Sequence, residues 1–186
     1  MSVTENLSVI LAELSSNQRH IQEEYLERLV NEILQADHIF LAGAGRSGVV
    51  IRGFANRLMH LGKSVSLVGD TTSPHSHPGN LLIVGSGSGE TETLVALACK
   101  AQRNGVRTAL ITMDATSTLG QLADVAVVLP GVSPKLKGAA QVTSVQPMGS
   151  AFEQISFLCY DAIILELMQR MAETTDTMFP RHADLE

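Results

Sequence analysis

The chain reads as one α/β domain in which helices cover both faces of a five-stranded parallel sheet. Three observations predict it. Short apolar runs near 38–42, 64–68, 81–84, 107–112 and 125–129 alternate with helical patterns near 47–61, 90–104 and 117–122. The runs are apolar at successive positions, as strands covered on both faces are. Two of them end in glycine- and serine-rich turns, Gly43-Ala44-Gly45-Arg46-Ser47-Gly48 and Gly85-Ser86-Gly87-Ser88-Gly89-Glu90-Thr91, of the kind that joins a parallel strand to a helix.

The elements follow in order. Leu7, Ile10, Leu11 and Leu14 recur at helical spacing over 4–17, as do Leu26, Leu29, Val30, Ile33 and Leu34 over 20–36. Residues 1–36 are therefore expected to pack as helices on the α/β unit of 37–172, with 173–186 as a tail on one structural domain. Gly62 and Gly105 stand where helices end in a left-handed residue. Pro130, Pro134 and Pro147, with the glycines between Gly131 and Gly149, predict a long ordered loop. A last helix over 150–171 is apolar on nearly every side, through Phe152, Ile155, Phe157, Leu158, Ile163, Ile164 and Leu165. That predicts burial against the sheet and a partner subunit.

Size and composition narrow the function. A chain of 186 residues fills one core and is too short for two ordinary domains. Hydrophobic residues make up 45% and charged ones 17%, a balance expected to leave apolar surface for an oligomer interface. The net charge of −6 argues against a general nucleic-acid or anionic-membrane surface. An anion site must then be built locally, from backbone N–H groups and a few cations such as Arg46. No apolar stretch reaches membrane-spanning length without a charge, and Met1 to Asn6 lack the pattern of a signal peptide, so a soluble cytoplasmic protein is expected. Cys99 and Cys159 lie in helical runs without metal or redox spacing and read as ordinary buried thiols.

At each glycine turn, free N–H groups and short hydroxyls converge, an environment that suits an anion. If the strand order is 2-1-3-4-5, the two turns frame one pocket at the carboxyl edge of the sheet, and a phosphate is the expected guest. Two other readings compete. Gly43, Gly45 and Gly48 also fit a dinucleotide fingerprint, with Asp70 about where a ribose-binding acid would sit. Arg46 and Ser47, which put a guanidinium and a hydroxyl where a pyrophosphate turn often has smaller neutral residues, weigh against it. Alternatively, Ser88 only caps a helix starting at Glu90.

Glu153 is the carboxylate of interest. The start of its helix favours the ionised form, while Phe152 and Ile155 beside it disfavour that form. A carboxyl group near that balance suits a general base. The plainer reading is a capping box, Ser150-x-x-Glu153. His60 ends the first crossover helix, and His182 lies in the tail. His75 and His77 stand in a Pro/Gly loop without a third ligand, so they read as exposed residues and not as a metal pair.

Five segments together resemble the sugar isomerase (SIS) domain family over nearly the whole chain. They are the first glycine turn, Arg57-Leu58-Met59-His60-Leu61-Gly62, the second glycine turn, Gln146 to Glu153, and Arg181-His182-Ala183-Asp184-Leu185. The second turn marks an SIS domain. The Pro147-Met148-Gly149 segment before Glu153, with the histidine-bearing tail, resembles the branch that converts 3-hexulose 6-phosphate to fructose 6-phosphate. The resemblance implies a flavodoxin-like three-layer sandwich, a homotetramer, no metal or other cofactor, and a place in formaldehyde fixation by the ribulose monophosphate pathway. It implies that Ser47, Ser86, Gly87, Ser88, Gly89, Glu90 and Thr91 hold the sugar phosphate and that Glu153 moves a proton. His60 is then expected to polarise the carbonyl or help open the product ring. Other SIS isomerases, acting on arabinose 5-phosphate or sedoheptulose 7-phosphate, and non-catalytic phosphosugar-binding modules remain as alternatives.

Overall fold

Side chains of successive strand residues point to opposite faces, and here both faces are covered. The strands are β1 (Ile39–Gly43), β2 (Val65–Leu67), β3 (Leu81–Gly85), β4 (Arg107–Thr112) and β5 (Val125–Val128). They pair in parallel in the order β2-β1-β3-β4-β5, the order that the one-pocket reading of the two glycine turns requires. Phe40, Ala42, Leu82, Val84 and Leu110 pack under α4 (Glu92–Arg103) and α5 (Thr118–Leu122). Ile39, Leu41, Leu81, Ile83, Ala109 and Ile111 pack under α2 (Glu23–Gln35), α3 (Gly45–His60) and α6 (Ser150–Arg170). The double burial is the physical reason for the unbroken apolar runs. The computed structural model describes residues 1–134, 136 and 142–185; within the expected loop over 131–149, residues 135 and 137–141 lie outside the described residues.

The register sets Gly43 beside Gly85. Both glycine turns therefore leave the sheet side by side, at the point where β2 lies to one side of β1 and β3 to the other. α3 ends as expected: Gly62 sits at φ +86°, Lys63 N donates to Leu58 O, and Gly62 N donates to Met59 O.

Several boundaries differ from expectation. A 3₁₀ turn over Gln18–His20 delays the start of α2 to Glu23. α4 begins at Glu92 because residues 88–90 are still completing a turn, with Glu90 N donating to Ser88 Oγ at 3.3 Å. β2, the edge strand, is three residues long. α6 buries Phe152, Ile155, Tyr160, Ile163 and Leu167, but Phe157, Leu158 and Leu165 are 44%, 51% and 61% exposed. Its all-round burial is thus met on one side only within a single chain.

Helix α1 (Val3–Asn17), capped by Ser2 and Glu5, packs on α6. The last described segment, α7 (Thr175–Met178) and a 3₁₀ turn over Phe179–Arg181, returns to the end of α3, where Arg181 donates to His60 O at 2.8 Å. Among the described residues no helix is long and apolar enough to cross a membrane.

Candidate active site

The first turn is shaped by backbone contact. A Cβ on Gly48 would lie 2.7 Å from Gly43 O, so the helix start can sit against the strand end only because both positions lack side chains. Gly45 opens α3 at φ +57°. The spacing that mimics a dinucleotide fingerprint thus serves close strand–helix packing.

The second turn is held from behind. Ser86 N donates to Ile111 O, while the carbonyls of Gly87 and Gly89 accept from Met113 N and Leu119 N, each at 3.0 Å. Thr112 Oγ1 also donates to Gly87 O. With those carbonyls engaged on the β4 side, the Gly87 and Ser88 N–H groups meet no acceptor among the described residues. Thr91 takes the N-cap position of α4 without a side-chain cap bond. Ser88 is not the cap of this helix.

Ser47, Ser86, Gly87, Ser88 and Thr91 converge on one cleft of about 320 Å³, with Arg46, Met113, Met148, Gly149, Phe152 and Glu153 completing its walls. The N-termini of α3, α4 and α6 all open into it. Three helix starts place three positive dipole ends and their unpaired N–H groups around one volume. An anion is the matching guest.

Two residues grouped with that set by sequence face elsewhere. Glu90 accepts from Thr118 N at 2.7 Å and from Thr118 Oγ1 at 2.8 Å, so its carboxylate is spent at the start of α5. Gly89, at φ +65°, lies where a Cβ would meet Ser117 Oγ at 1.9 Å, and its place is set by packing.

Glu153 faces the cleft from the first turn of α6. Ser150 is the first helical residue and Gly149 the N-cap, with no side-chain cap bond, so the capping box does not form. Arg46 Nε lies 2.5 Å from Glu153 Oε2. The approach is off-axis, and Oε2 is buried without a hydrogen bond. Glu153 is 15% exposed and Arg46 66%, so the cation is the solvent-facing member of the pair. The arrangement sets one carboxylate beside those N–H groups and hydroxyls, with the apolar Met113, Met148 and Phe152 on the same walls.

The structure does not bring His60 to that carboxylate within one chain. His60 ends the helix whose first turn carries Ser47, and α3 spans 16 residues, which puts the two ends on the order of 20 Å apart. His60 is buried, its Nδ1 lies 3.2 Å from Arg57 Nη1, and its ring stacks on His182 with centroids 5.2 Å apart. Burial holds its pKa below the ordinary histidine value, helped by the charges of Arg57 and His182. With Asp161, Leu165 and Phe179 it lines a separate depression.

Asp70 also lies apart, on a surface shared with Arg52 and Asn56, so the dinucleotide reading lacks its acid. His75 and His77 are exposed, and His77 Nδ1 contacts Pro78 O. Among the described residues no three His, Cys, Asp or Glu side chains gather as a metal site would require. Burial pushes the Cys159 thiol up to about 12, leaving it unreactive. Met113 and Met148 were missed as wall residues. Met113 follows the carboxyl end of β4, so the strand order alone could have flagged it.

The SIS domain matches residues 32–157. The chain is 42% identical to a 3-hexulose-6-phosphate isomerase of Bacillus subtilis (strain 168), over 100% of both chains. It is 38% identical to one from Mycobacterium gastri, covering 99% of this chain and 92% of the relative. A crystal structure of a Methanococcus jannaschii protein, from which a molecular function of 3-hexulose-6-phosphate isomerase was inferred, superposes with a TM-score of 0.82 at 30% identity, covering 98% of this chain and 99% of that one. The sheet order, the paired glycine turns and these full-length likenesses agree: the chain belongs to the sugar isomerase family defined by the SIS domain.

Proposed function

We propose that the chain isomerises 3-hexulose 6-phosphate to fructose 6-phosphate. The observation that carries this reading is the convergence of three helix N-termini and the Ser47, Ser86, Ser88 and Thr91 hydroxyls on one cleft that also holds Glu153. The full-length likeness to relatives of that name supports the substrate choice.

The chemistry fits a site of this kind. A ketose with its carbonyl at C3 closes a five-membered ring only through the C6 oxygen, which the phosphate blocks. The substrate therefore arrives open-chain and needs no ring-opening acid. Glu153 takes the proton from C2 and returns it to C3, while the O2 hydroxyl proton passes to O3. The C2–C3 enediol forms in between, the C3 carbonyl becomes a hydroxyl and the C2 hydroxyl becomes the new carbonyl, with no net gain or loss of protons. Ser47, Ser86, Gly87, Ser88 and Thr91 hold the phosphate, and Arg46 adds a cation at the mouth of the cleft. A positioned base of this kind contributes on the order of 10²- to 10⁴-fold.

His60 enters this reading only from a second copy of the chain, because α3 separates it from its own Glu153. The exposed Phe157, Leu158 and Leu165 on α6 offer apolar surface for such association, and we read the protein as a cytoplasmic homotetramer serving formaldehyde fixation by the ribulose monophosphate pathway.

The experiment is direct. Incubation with 3-hexulose 6-phosphate, arabinose 5-phosphate and sedoheptulose 7-phosphate in parallel should give product from the first alone. Turnover of either other sugar phosphate in its place would transfer the assignment to that substrate. Binding without turnover of any would make the chain a sensing module.

A further inference from the structure

The backbone that leads to Glu153 has neither helix nor strand from residue 142 to residue 149. Met148 and Gly149, at its end, wall the cleft. Met148 sits at φ +52°, a conformation that side-chain-bearing residues adopt at a cost. Locally, Gln146 N donates to Ser144 Oγ at 3.1 Å and Ser150 N to Pro147 O at 3.2 Å, and contacts from elsewhere must hold the stretch against the rest of the fold.

Glu13 of α1 supplies them. Its Oε1 accepts from Ser144 Oγ at 2.6 Å and from Gln146 Nε2 at 3.3 Å, and its Oε2 accepts from Val145 N at 3.2 Å. Among the described residues, these are the hydrogen bonds that join 142–149 to any element other than α6. A carboxylate accepts from several donors at once, and its charge strengthens each bond. The neighbouring Leu14 is buried in the core and α1 packs on α6, so the anchor itself is held.

We infer that Glu13 is a positioning residue of the candidate site. It fixes the segment 142–149, and through it the Met148–Gly149 wall and the placement of Glu153 against the phosphate cradle. The inference rests on the proposed role of Glu153.

The test compares Glu13→Ala, Glu13→Gln and Glu13→Asp with the unaltered chain. Alanine removes every acceptor, and glutamine turns an NH₂ toward at least one donor. Both should lower kcat on the order of 10-fold, the scale of a small misplacement of reacting groups. KM and the affinity for inorganic phosphate should stay close to the unaltered values, since the cradle is untouched. Glu13→Asp keeps the charge and should recover part of the rate. Amide exchange should quicken over 144–149 while the strands keep their protection. An unchanged kcat in Glu13→Ala and Glu13→Gln, or unchanged exchange over 144–149, overturns the inference. So does a general loss of protection across the sheet, which would mark Glu13 as a plain stability residue. If the unaltered chain does not turn over 3-hexulose 6-phosphate, the functional proposal fails. The exchange and phosphate measurements then still decide whether Glu13 holds the segment.

Discussion

The two ends of α3 are built from opposite chemistry. At its start, Gly45 to Ser47 join two other helix N-termini around a carboxylate and a set of hydroxyls. At its finish, the His60 ring stacks on His182 and meets Arg57 through Nδ1, while Arg181 donates to the His60 backbone carbonyl. The helix dipole suits both, since anions are favoured at a helix start and cations at its end. At the first end the Gly87 and Ser88 N–H groups meet no acceptor among the described residues, whereas at the second the Nδ1 and backbone carbonyl of His60 both have partners. Unspent hydrogen-bonding capacity, more than charge or burial, separates a place built for a ligand from a place built for packing.

The comparison is most easily broken at Glu153. Glu153→Gln should lower kcat on the order of 10²- to 10⁴-fold while sugar phosphate binding survives, read by following fructose 6-phosphate and by calorimetry. His60→Gln should spare phosphate affinity, and a loss of affinity equal to that of a cradle variant would erase the distinction between the two ends.

Ser88→Ala comes next. A hydrogen bond to a charged group is worth about 1.5–3 kcal/mol, so affinity for the phosphorylated sugar should fall about 10- to 100-fold. The dephosphorylated sugar should be nearly indifferent. Equal losses for both would mean that Ser88 serves the turn and not the phosphate.

Gly48→Ala sharpens the packing account of the first turn. In an exposed helix this change usually stabilises. Here the new Cβ would lie 2.7 Å from Gly43 O, with no side chain able to yield. Overpacking of this kind costs about 1–3 kcal/mol, a drop in Tm of roughly 2–4 °C per kcal/mol for a chain of this size. A raised Tm would show that the strand end and helix start are not in contact.

The smallest effect is the pH dependence of stability. The folded state holds the pKa of His60 below its unfolded value, chiefly by burial and then by Arg57 and His182. Its contribution is present above the ordinary histidine pKa of about 6.5 and is lost as pH falls below it. His38, also lowered by burial and by His77, acts in the same direction. Urea midpoints measured around pH 7.5 and around pH 5.5 should therefore fall with acid, and His60→Gln should flatten that fall. An unchanged slope would show that His60 is as free to protonate in the folded chain as in the unfolded one.

The legible parts of the sequence share one property: each is set by neighbours along the chain. Apolar runs such as Leu81 to Val84 mark buried parallel strands, and Gly62 marks a helix end, because period and backbone conformation are local. Ser47, Ser86, Ser88 and Thr91 could be grouped from sequence, and they do share one cleft, because each stands at a strand-to-helix turn. Glu90 was grouped with them for the same reason. It shares the turn, but its partner Thr118 is on another helix, which no local pattern announces. Ser150-x-x-Glu153 likewise looks like a capping box until the position of Gly149 shifts the helix start.

Residue chemistry and short-range geometry are enough to set the strand–helix alternation, the two glycine turns and the candidate base. Packing alone sets Gly43 beside Gly85, His60 at the far end of its helix from Glu153, and Glu13 against the segment before α6. Those facts are distances between residues remote in the chain, and they exist only once the sheet and its covering helices have packed.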